Sequence, residues 1–166
     1  TRAEILEAAH TLIREHGVAG LSLRDLGQRV GMRAQSLYSY FDGKHAIYDA
    51  LFGQGCREYL ELRRGAPRTD DARADFRSSC RQFVDFCLED PARYHLLFQR
   101  TIPGFEPSPE SYAPSVEGLE VNRQALKLAA ECGVPVLVAT GRPSRWLQVL
   151  EDLPGLHPEV LVSNGA

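Results

Sequence analysis

The chain has 166 residues, 43% of them hydrophobic and 25% charged, with a formal net charge of −3. That composition suits one globular domain or two small ones. No apolar run approaches the roughly 18 residues of a membrane span, and the charged, helix-like start does not resemble a signal peptide, so a cytoplasmic protein with no membrane partner is expected. Cys56, Cys80, Cys87 and Cys132 are scattered and form no CxxC pair. They read as reduced thiols in buried apolar positions. No His or Cys stands at ligand spacing, so neither a metal nor a cofactor is expected. The charge is unevenly placed. Residues 1–64 hold nine Lys/Arg and eight Asp/Glu, and residues 65–166 hold ten and fourteen. Only the first part is suited to meet a polyanion.

In chain order, Thr1-Arg2-Ala3-Glu4 is a capping box. It opens a helix whose apolar positions, Ile5, Ala8, Ala9, Leu12 and Ile13, repeat with helical period until Gly17. Ser22 is the N-cap of a short second helix carrying Leu23, Leu26 and Val30, with Asp25 three residues after the cap. Gly31 breaks that helix, and a third is expected over about Arg33 to Tyr40, ended by the Asp42-Gly43 turn. A long helix follows from about Lys44 to Leu62, with Ile47, Tyr48, Leu51, Phe52 and Tyr59 inward and Arg63 to Pro67 as a connection. A fifth helix over about Asp70 to Leu88 would turn Ala72, Phe76, Cys80, Phe83, Val84 and Cys87 inward. Asp90-Pro91 caps a sixth, with Tyr94, Leu97 and Phe98 apolar. Pro103, Pro107, Pro109 and Pro114 predict an irregular loop over 102–114. Then the pattern changes. A helix over 116–132, with Leu119, Leu126, Ala129 and Ala130 inward, precedes the Val-rich run Val134 to Ala139, a buried parallel strand. Ser144 to Leu153 reads as a helix and Glu159 to Ser163 as a second strand. The chain holds no internal repeat and no low-complexity tract.

Helix, Gly break, short helix, Gly turn, short helix is the pattern of a helix-turn-helix, whose last helix enters the DNA major groove. It accounts for the unusual polar face of Gly31 to Lys44. Leu37 and Phe41 hold the helix to its domain. Arg33 and Gln35 stand at its start, where Arg suits guanine and Gln suits adenine. Ser36, Tyr38 and Tyr40 can donate to phosphates, and Lys44 can pin the backbone from the next helix. A small three-helix bundle with a polar face would show the same periodicity.

The segment resembles the N-terminal domain of the TetR (tetracycline repressor) family over residues 2–52. The matching residues are R-x-x-I-L-x-A-A at Arg2 to Ala9, Gly17, L-S-L-R-D-L at Leu21 to Leu26, V-G-M at Val30 to Met32, and S-L-Y-S-Y-F-x-x-K at Ser36 to Lys44. The resemblance implies phosphate contacts at Ser22, Ser36, Tyr38, Tyr40 and Lys44, and base reading by Arg33, Ala34 and Gln35. Gly27 stands where a helix former or Ile is more usual, and Tyr40 where His is common. Asp90 to Arg100 (DPARYHLLFQR) resembles a stretch in many members, which extends the likeness to about residue 112. Phe76, Phe83, Phe86, Tyr94, Phe98 and Phe105 are then candidates for an apolar effector pocket, although each singly reads as core.

The end of the chain departs from that family, whose members close with long dimer-forming helices. Residues about 122–166, above all ATGRP at Ala139 to Pro143 and SNGA at Ser163 to Ala166, resemble a fragment of the haloacid dehalogenase superfamily. There Thr140 and Gly141 would hold phosphate and Asn164 would lie near the substrate. The D-x-D nucleophile motif of that superfamily occurs nowhere in the chain, and without it there is no phosphoryl-transfer site. Thr140 reads as a turn residue, no catalytic residue is expected, and a phosphatase is the disfavoured alternative. The tail could dock on the helices, pair with another chain, or come from a truncation or fusion.

The expectation is therefore a mainly α protein: an N-terminal three-helix helix-turn-helix domain (1–46), a helical ligand-sensing-type region (47–112) and a short α/β tail (113–166). The resemblance implies a repressor that binds an operator in double-stranded DNA, is relieved by a small apolar ligand, and works as a homodimer if the altered tail permits one. An enzyme is not expected.

Overall fold

The computed structural model describes residues 1–99, 101–133, 137–140 and 159–162. Seven helices, α1 to α7, are followed by strands β1 and β2. Helix α1 (Arg2–His16) is closed at its start by the expected capping box, the Glu4 amide donating to Thr1 Oγ1 at 3.4 Å. Gly17, at φ 77°, ends it in a conformation that suits glycine, and Val18–Gly20 form a 3₁₀ turn. Helix α2 (Leu23–Arg29) starts on Ser22, whose hydroxyl accepts from the Asp25 amide at 3.4 Å. Gly31, at φ 68°, reverses the chain.

The α-helical part of α3 covers only Ala34–Leu37, four residues rather than the eight expected. The next amides, those of Tyr38, Ser39 and Tyr40, donate to Gln35, Ser36 and Leu37, three residues back. The segment thus tightens into 3₁₀ turns before the Asp42-Gly43 break.

Ile5, Ala9, Ile13, Leu21, Leu26, Leu37 and Phe41 form one core with Ile47, Tyr48 and Leu51 of α4 (Lys44–Arg64). Tyr48 is 1% exposed, and its hydroxyl donates to the Val18 carbonyl at 2.7 Å, so the 3₁₀ turn is tied to α4. Leu96 of α6 (Pro91–Phe98) joins the same core. The N-terminal unit is therefore continuous in packing with the helices beyond it.

Several expectations are corrected here. Helix α4 runs two residues further than expected, and Arg63, assigned to a connection, is a buried helical residue. Helix α5 (Ala72–Glu89, capped by Asp71) keeps Ala72, Phe76, Phe83 and Cys87 on its half-buried face as expected, but two of its expected inward positions are corrected. Phe86 is its buried residue, whereas Cys80 and Val84 are exposed. The inward stripe steps 76, 79, 83, 86 at 3.6 residues per turn, and the 76, 80, 84 spacing drifts off it. Within α6 the buried residue is Leu96, and Phe98 is 40% exposed. The thiols of Cys80 and Cys132 are exposed and that of Cys87 is half-buried; only Cys56 is buried, and burial pushes its pKa up to about 11.

The proline-rich segment is not irregular to its end. Helix α7 (Pro109–Glu131) starts within it and continues across residues 112–124 as one helix. Ser108 caps it, accepting from the Ser111 amide at 3.2 Å, and Pro109 takes the first position, where its missing N–H costs nothing. Asp49 of α4 accepts from the Ser108 amide (2.6 Å) and from the Ser108 and Ser111 hydroxyls (2.9 Å each), which locks the start of α7 onto α4. Pro114 sits inside the helix, so the Glu110 carbonyl lacks its usual amide donor. Leu119, expected inward, is 62% exposed, whereas Ser111 is buried.

Strands β1 (Leu137–Thr140) and β2 (Glu159–Val162) pair in parallel, with Leu137 opposite Glu159 and Thr140 opposite Val162. The expected helix over Ser144 to Leu153, together with Gly141 and Asn164, lies outside the described residues.

Candidate nucleic-acid interface

The α2–α3 pair is held close by a missing side chain. A Cβ on Gly27 would stand 2.8 Å from the Met32 carbonyl oxygen and 3.1 Å from the Ala34 amide nitrogen. The Met32 amide donates to the Gly27 carbonyl at 2.8 Å. Glycine here is a requirement of the turn, which explains why no helix former stands at this position. From beneath, Leu37 (1% exposed) and Phe41 (4%) anchor α3 in the core. The Arg2 guanidinium stacks 4.3 Å over the Phe41 ring and donates to the Tyr40 carbonyl at 3.1 Å, fixing the far end of the segment to α1.

The residues singled out for DNA fall on the outside of this anchored segment. Arg33 is the N-cap position of α3, and Arg33, Gln35 and Ser36 are exposed; Ala34 is half-buried. Tyr38 is 51% exposed, a large fraction for an aromatic residue, and Tyr40 is 36% exposed. Ser22 is half-buried, its oxygen engaged at the start of α2. Lys44 is the first residue of α4, where no side chain caps the first amides, so a cationic residue and the positive helix end fall at the same place in the chain.

Charge pairing separates the cations. Arg29 forms a bidentate pair with Glu15 at 2.5 and 2.8 Å, and this bond holds the Glu15 carboxyl below its ordinary pKa. Among the described residues Arg24, Arg33 and Lys44 form no side-chain hydrogen bond or ion pair and stay free for an external anion. Arg24, exposed in the first turn of α2, was not foreseen as a contact residue. Its signal was available: a cation two residues after an N-cap serine, beside the predicted recognition helix.

The aromatic candidates divide. Phe83, Phe86, Tyr94 and Phe98 gather around Tyr59 of α4, with centroids 5.8 Å (Phe83), 5.2 Å (Phe86) and 6.0 Å (Phe98) from Tyr59, and Tyr94 5.8 Å from Phe98. Phe105 instead packs on Tyr48 and Phe52 beside the N-terminal core. Phe76 is half-buried on α5 and pairs with no ring among the described residues. A separate open groove of about 370 Å³ lies between α1, α4 and α6, lined among others by Leu6, His10, Leu51, Gly55 and Leu96.

A helix-turn-helix with an anchored, outward-facing polar helix is the form of a DNA-reading domain. The family model of bacterial regulatory proteins of the tetR family matches residues 5–51. The HTH-type transcriptional regulator Rv1816 of Mycobacterium tuberculosis is 29% identical over 117 residues, covering 67% of this chain and 49% of its own. The tetracycline repressor protein class A of Escherichia coli is 36% identical over 97 residues, 55% of this chain and 43% of its own. Among solved structures, the putative regulatory protein SCO4313 superposes with a TM-score of 0.67 at 26% identity, covering 90% of this chain and 66% of that one. The TetR-family regulator PfmR from Thermus thermophilus superposes with a TM-score of 0.65 at 25% identity, covering 83% and 75%. The chain thus carries a TetR-family N-terminal domain and is related to TetR-type regulators, which are not enzymes. It spans about half the length of the curated relatives it matches. The haloacid dehalogenase resemblance of the tail gains no support from these relatives. No described helix is long and apolar enough to cross a membrane.

Proposed function

We propose that the chain is a sequence-specific DNA-binding transcriptional regulator of TetR type, a cytoplasmic repressor that leaves its operator when a small molecule binds the helical region. The observation that carries this reading is the outward face of residues 33–44: the side chains of Arg33, Gln35, Ser36, Tyr38, Tyr40 and Lys44 make no hydrogen bond or ion pair among the described residues, while Leu37 and Phe41 are buried. Arg33 and Gln35 read base edges, with Ala34 beside them. Ser22, Ser36, Tyr38, Tyr40 and Lys44 hold phosphates and set the register. The chain acts as a homodimer, because operators of this class are read as two half-sites by two copies. The exposed stripe Tyr112, Val116 and Leu119 on α7 supports a contact between copies.

The coupling route follows from the packing. The 21 residues of α4 span about 30 Å, from Lys44 at the DNA side to the ring cluster around Tyr59. His10 of α1 is joined to Asp90, the cap of α6, at 2.5 Å. A ligand that displaces α6 or the far end of α4 moves α1 and Lys44 together. The two recognition helices then no longer match adjacent major grooves.

The test is selection of bound sequences from a random duplex pool, followed by affinity measurements on variants. An inverted repeat is expected. Tyr38→Ala and Lys44→Ala should weaken binding to all sequences, whereas Arg33→Ala and Gln35→Ala should change the preferred bases. Operator affinity untouched by both Tyr38→Ala and Lys44→Ala would refute the assignment of this face.

A further inference from the structure

Arg63 occupies the last turn of α4 and is only 7% exposed. Its Nε donates to Oδ1 of Asn122 on α7 at 3.0 Å. No carboxylate among the described residues pairs with it, and Nη1, sealed from solvent, has no hydrogen-bond partner. The adjacent Arg64, by contrast, pairs with Glu61 and Glu117 on the surface. A buried guanidinium without a counter-ion is strongly disfavoured, and an anion at Nη1 would remove that penalty.

The surroundings are amphipathic. One helical turn earlier on α4, Tyr59 packs against Phe83, Phe86 and Phe98. Burial raises the Tyr59 hydroxyl above its ordinary pKa, against the opposing influence of Arg63 and Asn122, which places all three at one junction. A cluster of rings with an unpaired guanidinium at one end matches a molecule with an apolar body and a planar anionic head, because the guanidinium fork fits a carboxylate with two parallel bonds.

We infer that this junction receives the carboxylate of a small amphipathic acid, its head on the Arg63 guanidinium and its body against Tyr59, Phe83, Phe86 and Phe98. The inference rests on the reading of the helical region as the effector-sensing part, and narrows the effector from an apolar molecule to an apolar acid. Asn122 orients the receptor through Nε, and α7 closes the junction against α4.

The experiment compares naphthalene-2-carboxylate with its uncharged primary amide, by calorimetric titration of the whole chain without DNA. The carboxylate should bind roughly tenfold more tightly or better, the order that a charge-assisted hydrogen bond provides. Arg63→Met should abolish that preference and leave the amide's affinity unchanged. It should also raise the melting temperature of the protein without probe, since it removes a buried unpaired charge. Arg63→Lys, which keeps the charge but loses the fork, should retain part of the preference. Equal affinity of the parent for the two probes, binding of neither, or a preference that survives Arg63→Met would overturn the inference. So would an Arg63→Met protein that melts lower or fails to fold, because Arg63 would then be a structural residue. Operator binding is measured separately. Carboxylate preference without DNA binding would remove the regulator reading and keep the site; DNA binding without the preference would do the reverse.

Discussion

Asp90 offers a direct measure of how α6 is tied to α1, and its replacement by alanine removes two functions at once. Its Oδ1 accepts from the Ala92 and Arg93 amides at 3.1 Å each, capping α6. Its Oδ2 lies 2.5 Å from Nε2 of His10 on α1, and the residue is 5% exposed. Loss of an N-cap costs about 1 kcal/mol, and loss of a charged hydrogen bond in a buried setting roughly 1.5–3 kcal/mol. The two share one carboxylate and do not add fully, so about 2–4 kcal/mol is expected for Asp90→Ala. At ~2–4 °C per kcal/mol for a protein of this size, Tm falls by about 5–15 °C in a circular dichroism melt at pH 7. Asp90→Asn keeps an oxygen for the cap and loses only the charge, so it should cost clearly less. The pH dependence has a definite sign. Burial pushes the Asp90 carboxyl up, but the Arg93 amide, His10 and the Arg93 charge outweigh it, and its pKa stands below the ordinary value. Its stabilisation is therefore complete above the unfolded pKa of about 3.9 and is lost as the pH falls through the lower folded value. The melts of parent and Asp90→Ala should converge in acid. A Tm change under about 2 °C, an Asn variant as damaged as the Ala variant, or a gap undiminished in acid would each refute the reasoning.

Three further outcomes are expected. Tyr48→Phe leaves the buried Val18 carbonyl without its 2.7 Å donor and should cost about 1–3 kcal/mol in urea unfolding with an unchanged slope. Gly27→Ala drives a Cβ to 2.8 Å from the Met32 oxygen; it should cost roughly 1–3 kcal/mol and lower operator affinity beyond the loss of folded protein, since α3 is pushed away from α2. Arg24→Ala, at an exposed and unpaired cation, should leave stability within about 0.5 kcal/mol while reducing the salt slope of DNA binding by about 0.9, one phosphate contact.

What was legible in the sequence was local. Thr1, Ser22 and Asp90-Pro91 announce helix starts because a cap acts within three residues, and each is a cap in the structure. The two tail strands also stand close to their expected places, in parallel. Ser108-Pro109 carries the same kind of signal as Asp90-Pro91, but neighbouring prolines made it look like loop. Its strongest support, Asp49, is 59 residues away. On α5 only Cys80 and Val84 depart from the expected face; both are as apolar as Phe76 and Phe83, and hydrophobicity alone does not show that the stripe passes through Ser79 instead. The burial of Arg63 had no local sign at all. It follows from Asn122, on a helix read as starting seven residues later than it does. On the candidate DNA face, the polar residues and their two anchors were readable from periodicity. The need for Gly27 was not, because it depends on how closely α3 returns on α2.

The physics of α4 bears most directly on the proposed regulation. The helix carries glycines where its neighbours press hardest. A Cβ on Gly53 would meet the Ser111 side chain of α7 at 2.9 Å, and one on Gly55 would meet Leu97 and Arg93 of α6 at 3.1–3.3 Å. Glycine in a helix interior costs about 1 kcal/mol relative to alanine, so two within three positions mark contacts for which a smooth surface matters more than helix stability. Close packing of this kind leaves no soft layer to absorb a displacement. A shift of α6 or α7 has to be taken up by α4 as a whole. Lys44 at one end and Arg63 at the other are then parts of one rigid element, and an anion captured at Arg63 acts on the DNA side by moving that element.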